Sequence, residues 1–161
     1  MKRAVFLIIA CLTVVNLYSQ TETVKKNTIG AHLGLGIGGV KAQPAHAIVG
    51  IDYSRRLGDY WSLCTGIEYL EPYITSIPVQ LKGNFKNNKN HGYIKFGTDL
   101  NVIEANVGLG LNFSIGFEWE VNNITYSLNP YVGGSLFNLN DPHKDSNYFK
   151  LGISFGIGYK L

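Results

Sequence analysis

Charge is what this sequence has least of. Asp, Glu, Lys and Arg make up 16% of its 161 residues, against roughly 25% in an average soluble domain. So small a supply does not cover the surface of a water-soluble protein of this length. Cysteine is scarcer still, with only Cys11 and Cys64. Cys11 falls in an N-terminal leader, so Cys64 stands alone in the rest of the chain. That excludes an internal disulfide and any zinc site built on several thiolates. No basic stripe is present, which argues against a nucleic-acid partner. No apolar run reaches the roughly 20 residues that a transmembrane helix needs. Beyond residue 20 no segment holds a helical period.

The longest apolar run lies at the start. Met1-Lys2-Arg3 is a basic segment, Ala4 to Val15 is uncharged and apolar apart from Thr13, and Asn16 to Ser19 turns polar. This is the layout of a secretory signal peptide. We expect cleavage after Ser19, giving a leader of residues 1–19 and a mature domain of residues 20–161. Leu17 is a poor match to the small residue usual three places before the cut. Ile8-Ile9-Ala10-Cys11 loosely matches a lipoprotein box, but the apolar run continues through Val15, so Cys11 reads as one more residue of the leader core. Loss of Lys2 and Arg3 lowers the formal charge from +3 to +1.

What the mature part has in abundance is glycine, aromatic residues and alternation. From Val107 to Val121 every odd position is apolar: Val107, Leu109, Leu111, Phe113, Ile115, Phe117, Trp119 and Val121. Every even position is glycine or polar. Random ordering gives this with a probability on the order of 10⁻⁵. Residues 149–161, 29–38 and 61–69 repeat the pattern. Weaker strands are expected at about 45–57, 73–86, 92–102 and 124–138, making eight. Pro78 and Pro130 fall inside two of these, where each removes a ladder donor and points to a bulge.

The two faces of these strands differ in kind. One is bulky, apolar and aromatic; the other is glycine, serine, asparagine and a few charges. A soluble lipocalin-like carrier would need the second face as its surface, and that face is too short of Lys and Glu. A membrane barrel needs the reverse, with the bulky face in lipid and the small polar face around a narrow lumen. The expected fold is therefore all-β: a single closed, antiparallel, up-and-down transmembrane β-barrel of about eight strands. An even strand count puts both termini on the periplasmic side, with short turns at Leu57-Gly58-Asp59, Lys86 to Gly92, and Asn122-Asn123. The two-residue Asn-Asn link suits positive φ at both positions. The outer links are 41–44, 71–72, about 103–106, and Asn138 to Asn147, and only the last is long.

Those turns arrange two groups of residues. Tyr53, Trp61, Trp119, Tyr126 and Tyr159 share the outward parity near the periplasmic ends, as an interfacial aromatic belt would. Arg56, Lys95, Glu118, Glu120 and Lys160 share the inward parity toward the same end. We expect them to pair across the lumen as a plug, since a charge in so narrow a space must be matched or hydrated; the alternative is an ion filter.

Short motifs carry a family resemblance. Ser19-Gln20, Ile77-Pro78-Val79-Gln80-Leu81-Lys82 and the closing Leu151 to Leu161 (LGISFGIGYKL) resemble the outer-membrane β-barrel (porin-family, PorT-like) proteins of Bacteroidetes. The resemblance covers most of residues 20–161 and implies a Gram-negative outer-membrane location. In that family an IPxxLK-type segment commonly marks a central strand. The C-terminus also resembles the signal read by the barrel-assembly machinery, with Tyr159 supplying the aromatic and Leu161 standing where Phe is usual.

Function is less legible. The histidines are His32, His46, His91 and His143, and none sits beside a serine in a recognisable motif. GLGIGG and GLGLNFSIG alternate as strand and are not phosphate loops. No motif calls for a catalytic residue, a cofactor or a metal. The leading expectation is a non-enzymatic outer-membrane protein, structural or interacting through its outer loops. Its partners would be membrane lipids, the assembly machinery, and an unidentified extracellular ligand or protein at a stretch such as His143 to Asn147. A narrow pore for small solutes is the second reading. A lipid-modifying enzyme using His32 with Ser62 or Ser154 is the third.

Overall fold

A computed structural model describes residues 27–39, 45–70, 74–85, 89–103, 106–138 and 148–161. The leader, Cys11 and His143 to Asn147 lie outside the described residues. Eight strands follow in chain order: β1 Asn27–Gly39, β2 His46–Arg56, β3 Trp61–Leu70, β4 Ile74–Asn84, β5 Asn90–Ile103, β6 Asn106–Val121, β7 Ile124–Asn138 and β8 Phe149–Lys160. Each pairs antiparallel with its chain neighbour, and β8 pairs with β1, so the sheet closes on itself. Closure satisfies the edge groups that an open sheet would leave bare.

The stagger of the ladder sets the barrel's width. Partners followed once round from Ile29 run through Tyr53, Thr65, Val79, Thr98, Leu111, Gly134 and Phe149, and return to β1 at Gly39. A ten-residue stagger over eight strands tilts them by roughly 42° and gives a backbone radius of about 8 Å. Inward side chains fill a space of that size.

One end of the barrel, the turn end, carries the links at 57–60, 85–89 and 122–123 together with Asn27 and Lys160. The opposite end is the loop end. At Asn122-Asn123 only Asn122 has positive φ, at 59°, so the expectation of two such residues is corrected to one. The bulge expected at each proline is also absent. On its β3 side, β4 leaves Ile77 and Pro78 unpaired and resumes the same register at Ser76. On its β6 side, β7 likewise leaves Asn129 and Pro130 unpaired without changing register. A missing donor removes a ladder bond but adds no residue, so register survives it. The shift occurs instead between Leu109 and Gly110, where Leu136 is the extra residue on β7.

Alternation translates directly into two surfaces. On the outward face, Leu33, Leu35, Ile51 and Ile67 are 60–70% exposed. Among the described strand residues of that face, Arg55 is the one charged side chain. Close approach inside the wall depends on glycine at two tyrosines. A Cβ at Gly116 would lie 2.5 Å from the Tyr93 ring and hydroxyl, and one at Gly152 would collide with the Tyr131 hydroxyl. Each phenol end lies against a glycine and takes up lumen volume.

Candidate functional site

The five outward aromatic residues expected as a belt lie toward the turn end. Trp119 stacks on Tyr126 with centroids 5.8 Å apart, and Phe155 lies 6.2 Å from Trp119 and 6.4 Å from Tyr126. Tyr159 is the ladder partner of both Ile29 and Ile124. Tyr53 donates its hydroxyl to Asn27 Oδ1 at 2.9 Å. Trp61 lies over Gly83, where a Cβ would come within 2.8 Å of the indole. All five residues thus fall within about 8 Å of barrel height, from register and tilt. Leu161, beside them, donates its backbone N–H to the Asn27 carbonyl at 2.8 Å.

The lumen is where the sequence placed its remaining charges. Among the described residues its face carries five bases (Arg56, Lys82, Lys95, Lys150, Lys160) and five acids (Asp52, Glu68, Asp99, Glu118, Glu120). With neutral histidines the interior is formally balanced. Lys160 pairs with Glu120 across β7, and Lys82 pairs with Glu118 across β5. His91 Nε2 lies 3.7 Å from the second oxygen of Glu118. Lys95 stands over the Tyr93 ring, 5.3 Å from its centroid, with Lys82 4.4 Å from the same ring. Arg56 turns back to the β2–β3 link and donates to the carbonyls of Gly58 and Asp59 at 2.9 and 3.0 Å. The five charges expected to act together are therefore split: Glu120–Lys160 at the mouth, Glu118 with Lys82, Lys95 deeper in, and Arg56 on its turn.

A second charge cluster, which periodicity alone did not reveal, lies toward the loop end. Lys150 Nζ sits 2.9 Å from Asp99 and 3.4 Å from Glu68. Asn112 donates its amide to the Asp99 carboxylate at 3.2 and 3.4 Å, and Asn101 donates to the Asp99 carbonyl at 3.2 Å. His32 links this cluster to the middle of the lumen: its Nε2 lies 3.5 Å from Glu68 and its Nδ1 3.4 Å from Asp52. Both ring nitrogens are turned to carboxylates, so neither is directed at Ser62 or Ser154 as the enzyme reading required. Cys64 is buried, its Sγ 3.4 Å from Ser54 Oγ.

Toward the loop end the lumen lining is mixed, with bulky apolar side chains beside buried His46, Ser76 and Asn101. Ile48, Leu70, Ile74, Tyr131 and Tyr148 pack into one buried cluster at the loop end. The expectation of small polar residues along the whole lumen is corrected here. Residues 47–49 and 69–70 are apolar at consecutive positions, so both faces of the wall carry apolar residues near this rim. Among the described residues the lumen holds two small cavities of about 40 Å³ and about 60 Å³. Each holds a few waters at most. Among the described residues no group of three or more His, Cys, Asp and Glu is arranged to hold a metal ion.

Comparison with known proteins addresses the fold. No protein-family model matches the chain, and no curated protein does. Solved structures do. Neisserial surface protein A (NspA) superposes with a TM-score of 0.64 at 11% identity, over 86% of this chain and 98% of that one. The N-terminal β-barrel domain of Pseudomonas aeruginosa OprF gives 0.53 at 11% identity, over 83% and 98%. A de novo designed transmembrane β-barrel gives 0.53 at 17% identity, over 83% and 95%. The chain shares their fold. It is a closed eight-stranded antiparallel barrel, as expected from the alternation.

Proposed function

We infer that this chain is a small outer-membrane β-barrel protein of a Gram-negative bacterium, exported by residues 1–19, whose lumen is closed to solutes. The observation that carries the reading is the contrast between its two surfaces. Among the described strand residues the outward wall is apolar and bears one charge, at its turn end, whereas ten charged side chains face the lumen. Water on the outside and lipid on the inside would be the costlier arrangement in every strand. In this reading the turn end lies in the periplasm. Tyr53, Trp61, Trp119, Tyr126 and Tyr159 then meet the lipid headgroups there, and Tyr159 with Leu161 presents the assembly signal. The PorT-like resemblance of Ile77 to Lys82 and of the C-terminus favours a Bacteroidetes member of the class.

Its role is non-enzymatic, structural or through the outer loops. Two features favour a plug over a pore: the buried apolar cluster in which Ile48, Leu70 and Ile74 of β2–β4 meet Tyr131 of β7 and Tyr148 toward the loop end, and the ion pairs that occupy the lumen. The test is a planar bilayer in potassium chloride. The reconstituted barrel should show no stepwise conductance. Steady unitary steps would replace the plug with the narrow-pore reading.

A further inference from the structure

All three histidines among the described strand residues point into the lumen, and they stand one above another. His46 is beside the loop-end rim, His32 is midway, and His91 is beside the turn-end link. The tilt and register separate them by roughly 13 Å of axis each. Between them lies a continuous succession of proton-bearing groups. His46 Nε2 is 3.3 Å from the Tyr131 hydroxyl. Tyr131 and Glu68 both line the cavity of about 40 Å³. Glu68 meets His32 Nε2 at 3.5 Å, and His32 Nδ1 meets Asp52 at 3.4 Å. Asp52 and Glu118 both line the cavity of about 60 Å³, and Glu118 lies 3.7 Å from His91. Each break in the file of side chains coincides with a space for water.

We propose that the lumen, impermeable to solutes, passes protons between its two mouths along this file. His32 is the station that makes the path directional in space. An imidazole that accepts a proton at one nitrogen releases one from the other, and here the two nitrogens face different carboxylates on different strands. A proton entering from Glu68 at Nε2 therefore leaves from Nδ1 to Asp52. Every group gives up one proton for the one it takes; the hop leaves His32 as its other tautomer, and a ring flip or proton exchange with cavity water restores the first before the next passage, so the gradient alone drives the net flow. Three further atoms point to water along the way. His46 Nδ1, Ser114 Oγ and Asn112 Oδ1 are buried without a hydrogen-bond partner, and Ser114 and Asn112 line the upper cavity. Buried polar atoms of this kind are ordinarily satisfied by enclosed water. Ion-pair partners Lys82 and Lys150 hold the carboxylates in place without entering the file.

The inference rests on the closed-lumen reading, and one preparation tests both. The barrel is reconstituted in phospholipid vesicles containing the pH dye pyranine, with potassium and valinomycin to discharge the membrane potential, and the outside is acidified. The dye should respond several-fold faster than in protein-free vesicles. His32→Gln, which keeps a polar side chain but cannot relay, should return the rate to the protein-free level while the barrel still resists cold SDS. A purely bracing role for His32 would change stability and leave the flux alone. If His32→Gln fails to fold, His46→Gln at the rim gives the same reading. A wild-type rate equal to that of protein-free vesicles, or a folded His32→Gln barrel as fast as wild type, overturns the relay alone. Stepwise potassium chloride conductance overturns the closed lumen and the relay with it.

Discussion

Lys150 Nζ lies 2.9 Å from the Asp99 carboxylate in the upper lumen, with the two side chains 1% and 0% exposed. Glu68 approaches the same ammonium at 3.4 Å. One base thus answers two acids in a place water scarcely reaches. Removing it leaves both carboxylates buried and uncompensated, so Lys150→Met should cost about 3–5 kcal/mol. Asp99→Asn should cost less, because Glu68 still neutralises the lysine. Urea unfolding of the barrel in lipid vesicles measures both, and equal costs would contradict the shared-lysine arrangement.

The outward wall predicts a depth dependence. Ile115 is at mid-height on β6 and faces out; Val121 faces out at the turn end. Ile115→Arg should destabilise the folded barrel by about 2–4 kcal/mol, and Val121→Arg by about 0–1 kcal/mol. The same unfolding assay distinguishes them. Similar small effects at both sites would mean that water, not lipid, covers the wall.

Both tryptophans of the chain, Trp61 and Trp119, face outward toward the turn end, which makes fluorescence a selective test of the proposed belt. Vesicles with bromine near the headgroup should quench Trp61 and Trp119 more strongly than vesicles brominated near the chain ends. Trp61→Phe isolates Trp119 on its Tyr126 stack. Stronger quenching from the chain ends would remove these rings from the interface.

Tyr93 over Gly116 offers a packing test. Gly116→Ala puts a methyl 2.5 Å from the Tyr93 ring and should cost about 1–3 kcal/mol. Gly58, in the β2–β3 link, has nothing within 4 Å of an added Cβ, so Gly58→Ala should be close to neutral. A neutral Gly116→Ala would show that Tyr93 does not pack as described.

Strand placement was readable because period-2 patterning is local. Even the weakly patterned 92–102 lies inside β5, Asn90–Ile103. The lumen was only partly readable, because ion-pair partners there sit two or three strands apart round the barrel and register decides which charges meet. Glu118 finds Lys82, 36 residues away, and Lys150 finds Glu68, 82 away; spacing along the chain contains neither relation. Ile48, Leu70 and Ile74 have apolar neighbours along the chain, so alternation does not say which way they face, and only the register shows them turned inward. The prolines misled for a different reason: loss of a donor is visible in sequence, whereas an inserted residue, as at Leu136, is a property of two strands together.

The most direct test of the central claim is heat-modifiability. The outer-membrane fraction is run on SDS gels with and without boiling. A lipid-facing closed barrel should appear in that fraction, stay folded in cold SDS, and shift mobility when boiled. Recovery in the soluble periplasmic fraction with no mobility shift would contradict the claim, and would mean that the apolar wall is covered by something other than lipid.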